Sequence, residues 1–205
     1  MMDTLITVVL VLVVLVPSVV LHEVAHGVAA LRFGDDTAKQ AGRLTLNPLA
    51  HIDPFGTVIL PALLAFTTGS AFGYAKPVPV NRARMRRPRD HGLIVSLAGP
   101  ATNIVLAVAA AVVLRQLLPV GNQWALELIF RFGIINVILA AFNLLPIPPL
   151  DGSAVVERLL PRRMLPGWRT IRQYSMPVLL LVVLLLPGTL SGVFGAARDL
   201  WLRLL

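Results

Sequence analysis

Stretches without a single Asp, Glu, Lys or Arg punctuate the chain at residues 4–22, 54–75, 92–114, 132–150 and 173–197. Each reaches about 20 residues, the length a helix needs to cross a hydrocarbon core roughly 30 Å thick. The expected fold is therefore an all-α polytopic membrane protein with about four to six transmembrane or re-entrant segments. A short extended or β element should follow the first helix. A single domain over residues 1–205 is the simplest organisation, because removing the loops leaves too little polar sequence for a separate module.

The order of the segments suggests a topology. A first helix from residue 4 to 33, closed by Gly34-Asp35-Asp36, would be about 45 Å long and must emerge from hydrocarbon at its far end. The start Met-Met-Asp is acidic, and no small-residue cleavage site precedes Leu21, so the run is expected to be retained rather than removed as a signal peptide. Arg32, Lys39 and Arg43 follow it, which places the loop inside and the amino terminus outside. Residues 54–75 carry basic flanks on both sides and are broken by Pro61, Gly69 and Gly73, the pattern of a re-entrant segment. An extended stretch at residues 74–81 is expected next, given Pro77 and Pro79. Residues 92–114 then cross outward and 124–145 return, with Trp124 as an interfacial anchor. Residues 173–197, interrupted by Pro187-Gly188, suit one crossing with an interfacial stretch, or a shallow hairpin.

Composition reinforces the bilayer and removes other classes. Hydrophobic residues make up 57% of the chain and charged ones 14%, against roughly 25% charge in soluble domains. The net charge of +8 lies in the gaps between apolar runs, notably residues 82–89 and 158–172. Cytoplasmic loops carry such charge, so no nucleic-acid partner is inferred. The chain has no cysteine, which excludes disulfides, thiolate zinc sites and thiol nucleophiles. Any metal must be held by histidine and carboxylate.

His22-Glu23-Val24-Ala25-His26 fits H-E-x-x-H. Residues four apart share a helix face, so both imidazoles can serve one zinc while Glu23 stands beside its water. Ionisable groups inside an apolar helix are costly without partners and point to function. A catalytic zinc usually has three protein ligands. The metzincin extension is absent, since Ala29 and Phe33 occupy its positions, and Glu127 and Glu157 sit in less helpful surroundings. Asp151, in the proline-broken apolar run Asn143-Leu144-Leu145-Pro146-Ile147-Pro148-Pro149-Leu150-Asp151-Gly152, is the best third donor. An ordinary helix cap is its competing role. His51 could be an extra ligand or a turn histidine bonded to local backbone, the second being favoured, and Asp53 before Pro54 reads as a turn residue.

These residues together resemble the site-2 proteases, intramembrane metalloproteases with H-E-x-x-H on one transmembrane helix and Asp-Gly on a later one. His22, Glu23 and His26 match the first motif, Asp151-Gly152 the second, and Asn143 the asparagine that precedes it. Ser96-Leu97-Ala98-Gly99-Pro100-Ala101-Thr102-Asn103 is similar to a small-residue helix start of the family, where Gly99 permits close backbone approach. Leu46-Asn47-Pro48-Leu49-Ala50-His51-Ile52-Asp53-Pro54 and Ala75-Lys76-Pro77-Val78-Pro79-Val80-Asn81 resemble a compact bacterial and archaeal subgroup without PDZ or CBS domains. Ser153 departs from the usual glycine.

The resemblance implies one Zn2+ per chain held by His22, His26 and Asp151, with Glu23 as general base and Asn143 as a second catalytic residue. It implies hydrolysis of peptide bonds in or near the transmembrane segment of a single-span substrate. The expected location is a prokaryotic inner or plasma membrane, with the site toward the cytoplasm. A zinc or ion transporter and a non-catalytic zinc-binding regulator are the alternatives. Monomer and homo-oligomer both remain open.

Overall fold

The computed structural model describes residues 2–60, 73–186 and 188–205. Three long helices form its centre: α1 (Met2–Arg32), α3 (Pro88–Leu117) and α4 (Gln123–Asn143). Shorter helices are α2 (Thr37–Gln40), α5 (Ser153–Leu159), α6 (Leu165–Leu185) and α7 (Ser191–Leu204). Among the described residues, Leu10–Arg32, Pro88–Leu117 and Gln123–Asn143 are long and apolar enough to cross a membrane. The protein is an integral membrane protein. Its outward side chains agree: Val13, Val28, Ile94, Val105 and Val112 are each at least half exposed, a lipid-facing surface that water would not tolerate.

Helix boundaries follow from local chemistry. The Asn122 side chain accepts from the Ala125 amide at 2.8 Å and opens α4, while Pro88 occupies the first turn of α3. Gly34, at φ 104°, stops α1 and lets the Asp35 amide reach back to the Ala30 carbonyl at 3.0 Å. Inside the bundle, α3 packs most extensively on α4 and then on α1. Small residues make this possible: Gly99, Ala107, Ala110 and Ala111 of α3 and Gly133 and Ala140 of α4 are all buried. On α1 the buried residues Val14, Ser18, His22, His26 and Ala30 recur every fourth position, one ridge aimed at α3 and α4.

One expectation needs adjustment. Residues 73–81 are extended, as expected, but form no β ladder among the described residues. Prolines at 77 and 79 lack amide donors, and the amides of Lys76, Val78 and Asn81 go to His51, Glu23 and Asp35 instead. The charge-free run 173–197 divides at its Pro187-Gly188 interruption into two helices: α6 begins upstream at Leu165 and α7 follows a turn at 188–190. From Gln173 onward α6 offers only about 13 charge-free residues, or roughly 20 Å, which is short of a full span. α7 returns to lie on α4, with the Trp201 ring filling the notch left by Gly133. The re-entrant expectation covers residues 54–75. Of these, Pro54–Ile59 form a π-helical turn, and 61–72 lie outside the described residues.

Ion pairs gather several basic connections at one end of the bundle. Arg84 meets Asp36, Arg82 and Arg172 share Glu157, and Arg158 meets Asp90. Asp35, fully buried, accepts from the Thr37 amide and hydroxyl and from the Asn81 amide. Burial opposes its charge, yet these donors and Arg84 hold its pKa below the usual carboxylate range.

Candidate metal centre

His22 and His26 project from the inward ridge of α1. Their Nε2 atoms are 3.0 Å apart, and Asp151 Oδ2 lies 3.1 Å from the first and 3.3 Å from the second. The three donors therefore surround one point, and His22, His26 and Asp151 form the one such cluster of ligating side chains found among the described residues.

Asp151 arrives there because the chain doubles back after α4. The Gly152 amide donates to the Asn143 carbonyl at 2.7 Å. A Cβ on Gly152 would run into the Leu144 carbonyl and lie 2.6 Å from that of Leu145, so this return requires glycine. α5 begins only at Ser153, with no side-chain cap. The carboxylate of Asp151 is thus turned to the histidines rather than spent on a helix terminus.

The far side of each imidazole decides what the near side can do. His22 Nδ1 is 2.5 Å from Asn103 Oδ1, and His26 Nδ1 is 2.7 Å from the Val95 carbonyl. Both partners are acceptors, so each Nδ1 carries a proton and each Nε2 is the nitrogen that can offer its lone pair to a metal. Two neutral imidazoles and one carboxylate, without sulfur, are a donor set that suits zinc at a catalytic site. Gly99 completes the cradle, because a Cβ there would collide with the Nε2 atoms of both histidines.

Glu23 stands outside the donor triad. It opens onto the same cavity, of about 700 Å³, and its Oε2 accepts from the Val78 amide at 2.8 Å. Asn143 also lines that cavity, and its side-chain amide donates to the Leu139 carbonyl. Gly73, Tyr74, Ala75, Pro77, Val78 and Val80 line the cavity too, as do Arg82 and Arg172.

His51 stays apart from the cluster. It is buried in its own turn, with Nε2 3.0 Å from the Thr45 carbonyl, as expected of a turn histidine. Asp53 accepts from the Gly56 amide at 2.7 Å. Glu127 and Glu157 are committed to arginines.

Asn136 and Ser18 were not singled out by the sequence. Both are fully buried beside Asn103. The available signal was an amide in the middle of the apolar run Phe132-Gly133-Ile134-Ile135-Asn136-Val137-Ile138, since polar groups inside membrane helices seek partners on neighbouring helices.

A membrane-embedded bundle with this donor set defines an integral membrane metalloprotein. Residues 10–121 and 118–186 match peptidase family M50, and the chain belongs to that family. YwhC of Bacillus subtilis strain 168, named as a zinc metalloprotease, is 39% identical over 93% of this chain and 88% of its own length. Rip2 of Mycolicibacterium smegmatis, named likewise, is 35% identical over 86% of this chain and 66% of its own. MJ0611 of Methanocaldococcus jannaschii, again named as a zinc metalloprotease, is 30% identical over 67% of this chain and 64% of its own. No solved structure matches. The chain is a zinc metalloprotease by family, and zinc is its metal.

Proposed function

We propose that the protein hydrolyses peptide bonds in or near the transmembrane segment of single-span membrane proteins, with His22, His26 and Asp151 as the zinc ligands and Glu23 as the general base. The observation that carries this reading is the separation of roles around one cavity. Three donors converge on a point, while a fourth ionisable group, Glu23, faces the same space without joining them. A transport site would more naturally recruit that carboxylate as a ligand.

Zinc held there supplies Lewis acidity and a water of lowered pKa. The chain supplies the proton transfers. Glu23 takes the proton of the attacking water on its carboxylate and later delivers it to the departing amine. The Val78 amide, bonded to Oε2, leaves Oε1 as the oxygen that handles the proton. Asn143, on the cavity wall, orients the substrate carbonyl.

A transmembrane helix hides its amides in its own hydrogen bonds, so the substrate must unwind locally. Residues 73–80 offer an extended wall along which an unwound segment can lie by strand addition. The site sits toward the cytoplasmic face of a prokaryotic plasma membrane. Arg32 ends α1, roughly 9 Å along the axis from His26 and 15 Å from His22. The arginines of residues 82–89 and 158–172 gather at that same end.

The test is cleavage of a panel of single-span substrates by purified protein in detergent, with wild type, Glu23→Ala and a chelated sample compared. Zinc-dependent cutting that disappears in Glu23→Ala is the expected result. Stoichiometric zinc with no cutting of any substrate would instead favour a binding or regulatory role.

A further inference from the structure

The ligand His22 is held from behind by a chain of two buried amides and a serine hydroxyl that spans three helices. Ser18, Asn103 and Asn136 are each fully buried, one each on α1, α3 and α4. Asn103 Nδ2 donates to Asn136 Oδ1 at 2.7 Å and reaches the Ser18 carbonyl at 3.4 Å. Asn136 Nδ2 donates to the Phe132 carbonyl at 2.8 Å and to Ser18 Oγ at 2.9 Å. Ser18 Oγ in turn donates to the Val14 carbonyl at 2.7 Å.

The direction of every bond in this chain is set at its far end. The carbonyls of Val14 and Phe132 can only accept. Ser18, having given its proton to Val14, must accept from Asn136. The Asn136 amide is therefore oriented with its NH2 toward Ser18 and Phe132 and its oxygen toward Asn103. That oxygen demands the NH2 of Asn103, which leaves Asn103 Oδ1 for His22. An amide turned the other way would present NH2 to His22 Nδ1 and force the proton onto Nε2, where no metal could bind.

We propose that Asn136, which neither lines the cavity nor touches a ligand, is a positioning residue for the metal. Acting through Asn103, it fixes His22 in the tautomer whose Nε2 is free. The inference rests on the reading of His22 as a zinc ligand. The buried setting makes the control firm, because an unpaired amide buried between membrane helices is costly.

The experiment uses the full-length protein in detergent. Selective 15N-histidine labelling reads the His22 tautomer in the metal-free protein, and competition with a chromophoric chelator reads zinc affinity. Wild type is expected to carry the His22 proton on Nδ1. Asn136→Leu removes the oxygen that accepts from Asn103 at 2.7 Å, so a population with His22 Nδ1 unprotonated should appear and zinc affinity should fall about 10- to 100-fold. Ser18→Ala leaves the Phe132 carbonyl to orient Asn136, and its affinity should change by less than about threefold. In an Asn103→Asp background both side-chain oxygens accept, so adding Asn136→Leu should no longer shift the tautomer.

A bare Nδ1 on wild-type His22 would overturn the proposal without any variant, which keeps it falsifiable if Asn136→Leu fails to fold; a proton on Nε2 would not, because the Asp151 carboxylate 3.1 Å away accepts one when no metal is bound. A folded Asn136→Leu protein with wild-type tautomer and affinity but a lower melting temperature would reduce Asn136 to a packing residue. Failure of the metal reading is distinct: zinc would then be absent from wild type, whatever the tautomer.

Discussion

Gly99→Ala offers a test in which secondary structure and function should move in opposite directions. Gly99 lies inside α3, where alanine favours the helix by roughly 0.8–1 kcal/mol. The added methyl, however, enters the cradle between the two histidines. It would lie 2.6 Å from His22 Cε1 and closer still to both Nε2 atoms. Ordinary carbon contacts begin near 3.5 Å, so the rings or α3 must retreat by about 1 Å. Metal sites tolerate ligand displacements of about 0.2 Å. Losing an outer partner of a ligand typically costs 10- to 100-fold in affinity, and displacing the ligand itself should cost at least about 100-fold. Zinc content by mass spectrometry, affinity by chelator competition and helicity by circular dichroism can be measured on one preparation. The expected result is undiminished helicity with zinc and cleavage both lost. Wild-type zinc affinity and cleavage in Gly99→Ala would refute the claim that the metal is bound in this cradle.

Other outcomes follow from the same contacts. Glu23→Gln should keep stoichiometric zinc while cleavage falls by about 10²- to 10⁴-fold, as loss of a general base implies, checked by metal analysis beside a substrate assay. Trp201→Ala should lower stability in detergent by about 3 kcal/mol, and Gly133→Ala should destabilise wild type but not the Trp201→Ala background, because the two share one notch; a double-mutant thermal-melt cycle reads this. Asp35, with its pKa depressed in the fold, contributes stability above its unfolded-state value that is lost as pH falls through the folded one. Asp35→Asn should therefore lower the melting temperature at neutral pH and converge with wild type in acid, as a pH series of melts would show.

The sequence made some of this legible and concealed the rest for identifiable reasons. His22 and His26 could be paired because four residues on a helix return to one face. Asp151 could be nominated because a carboxylate in a proline-broken apolar run needs a partner. The role of Asn103 was hidden, since its contact with His22 joins positions 81 residues apart, and no local pattern encodes such a distance. Asn136 was hidden more deeply, because it acts on another amide rather than on the site. The extended stretch at residues 73–81 was readable from its prolines, but its pairing was not: the Val78 amide is taken by Glu23, a side chain from a different helix. Charge-free runs located the three spans well. They do not mark the start of α6 at Leu165, because a helix can begin in a polar region and the count of charges cannot see it.

The measurement closest to the central claim is X-ray absorption at the zinc edge of purified wild-type protein, combined with its metal content. One zinc per chain is expected, with two imidazole nitrogens at about 2.0–2.1 Å and light oxygen donors completing the shell. A shell without imidazole scattering, or substoichiometric zinc that cannot be loaded, would contradict the assignment of His22, His26 and Asp151.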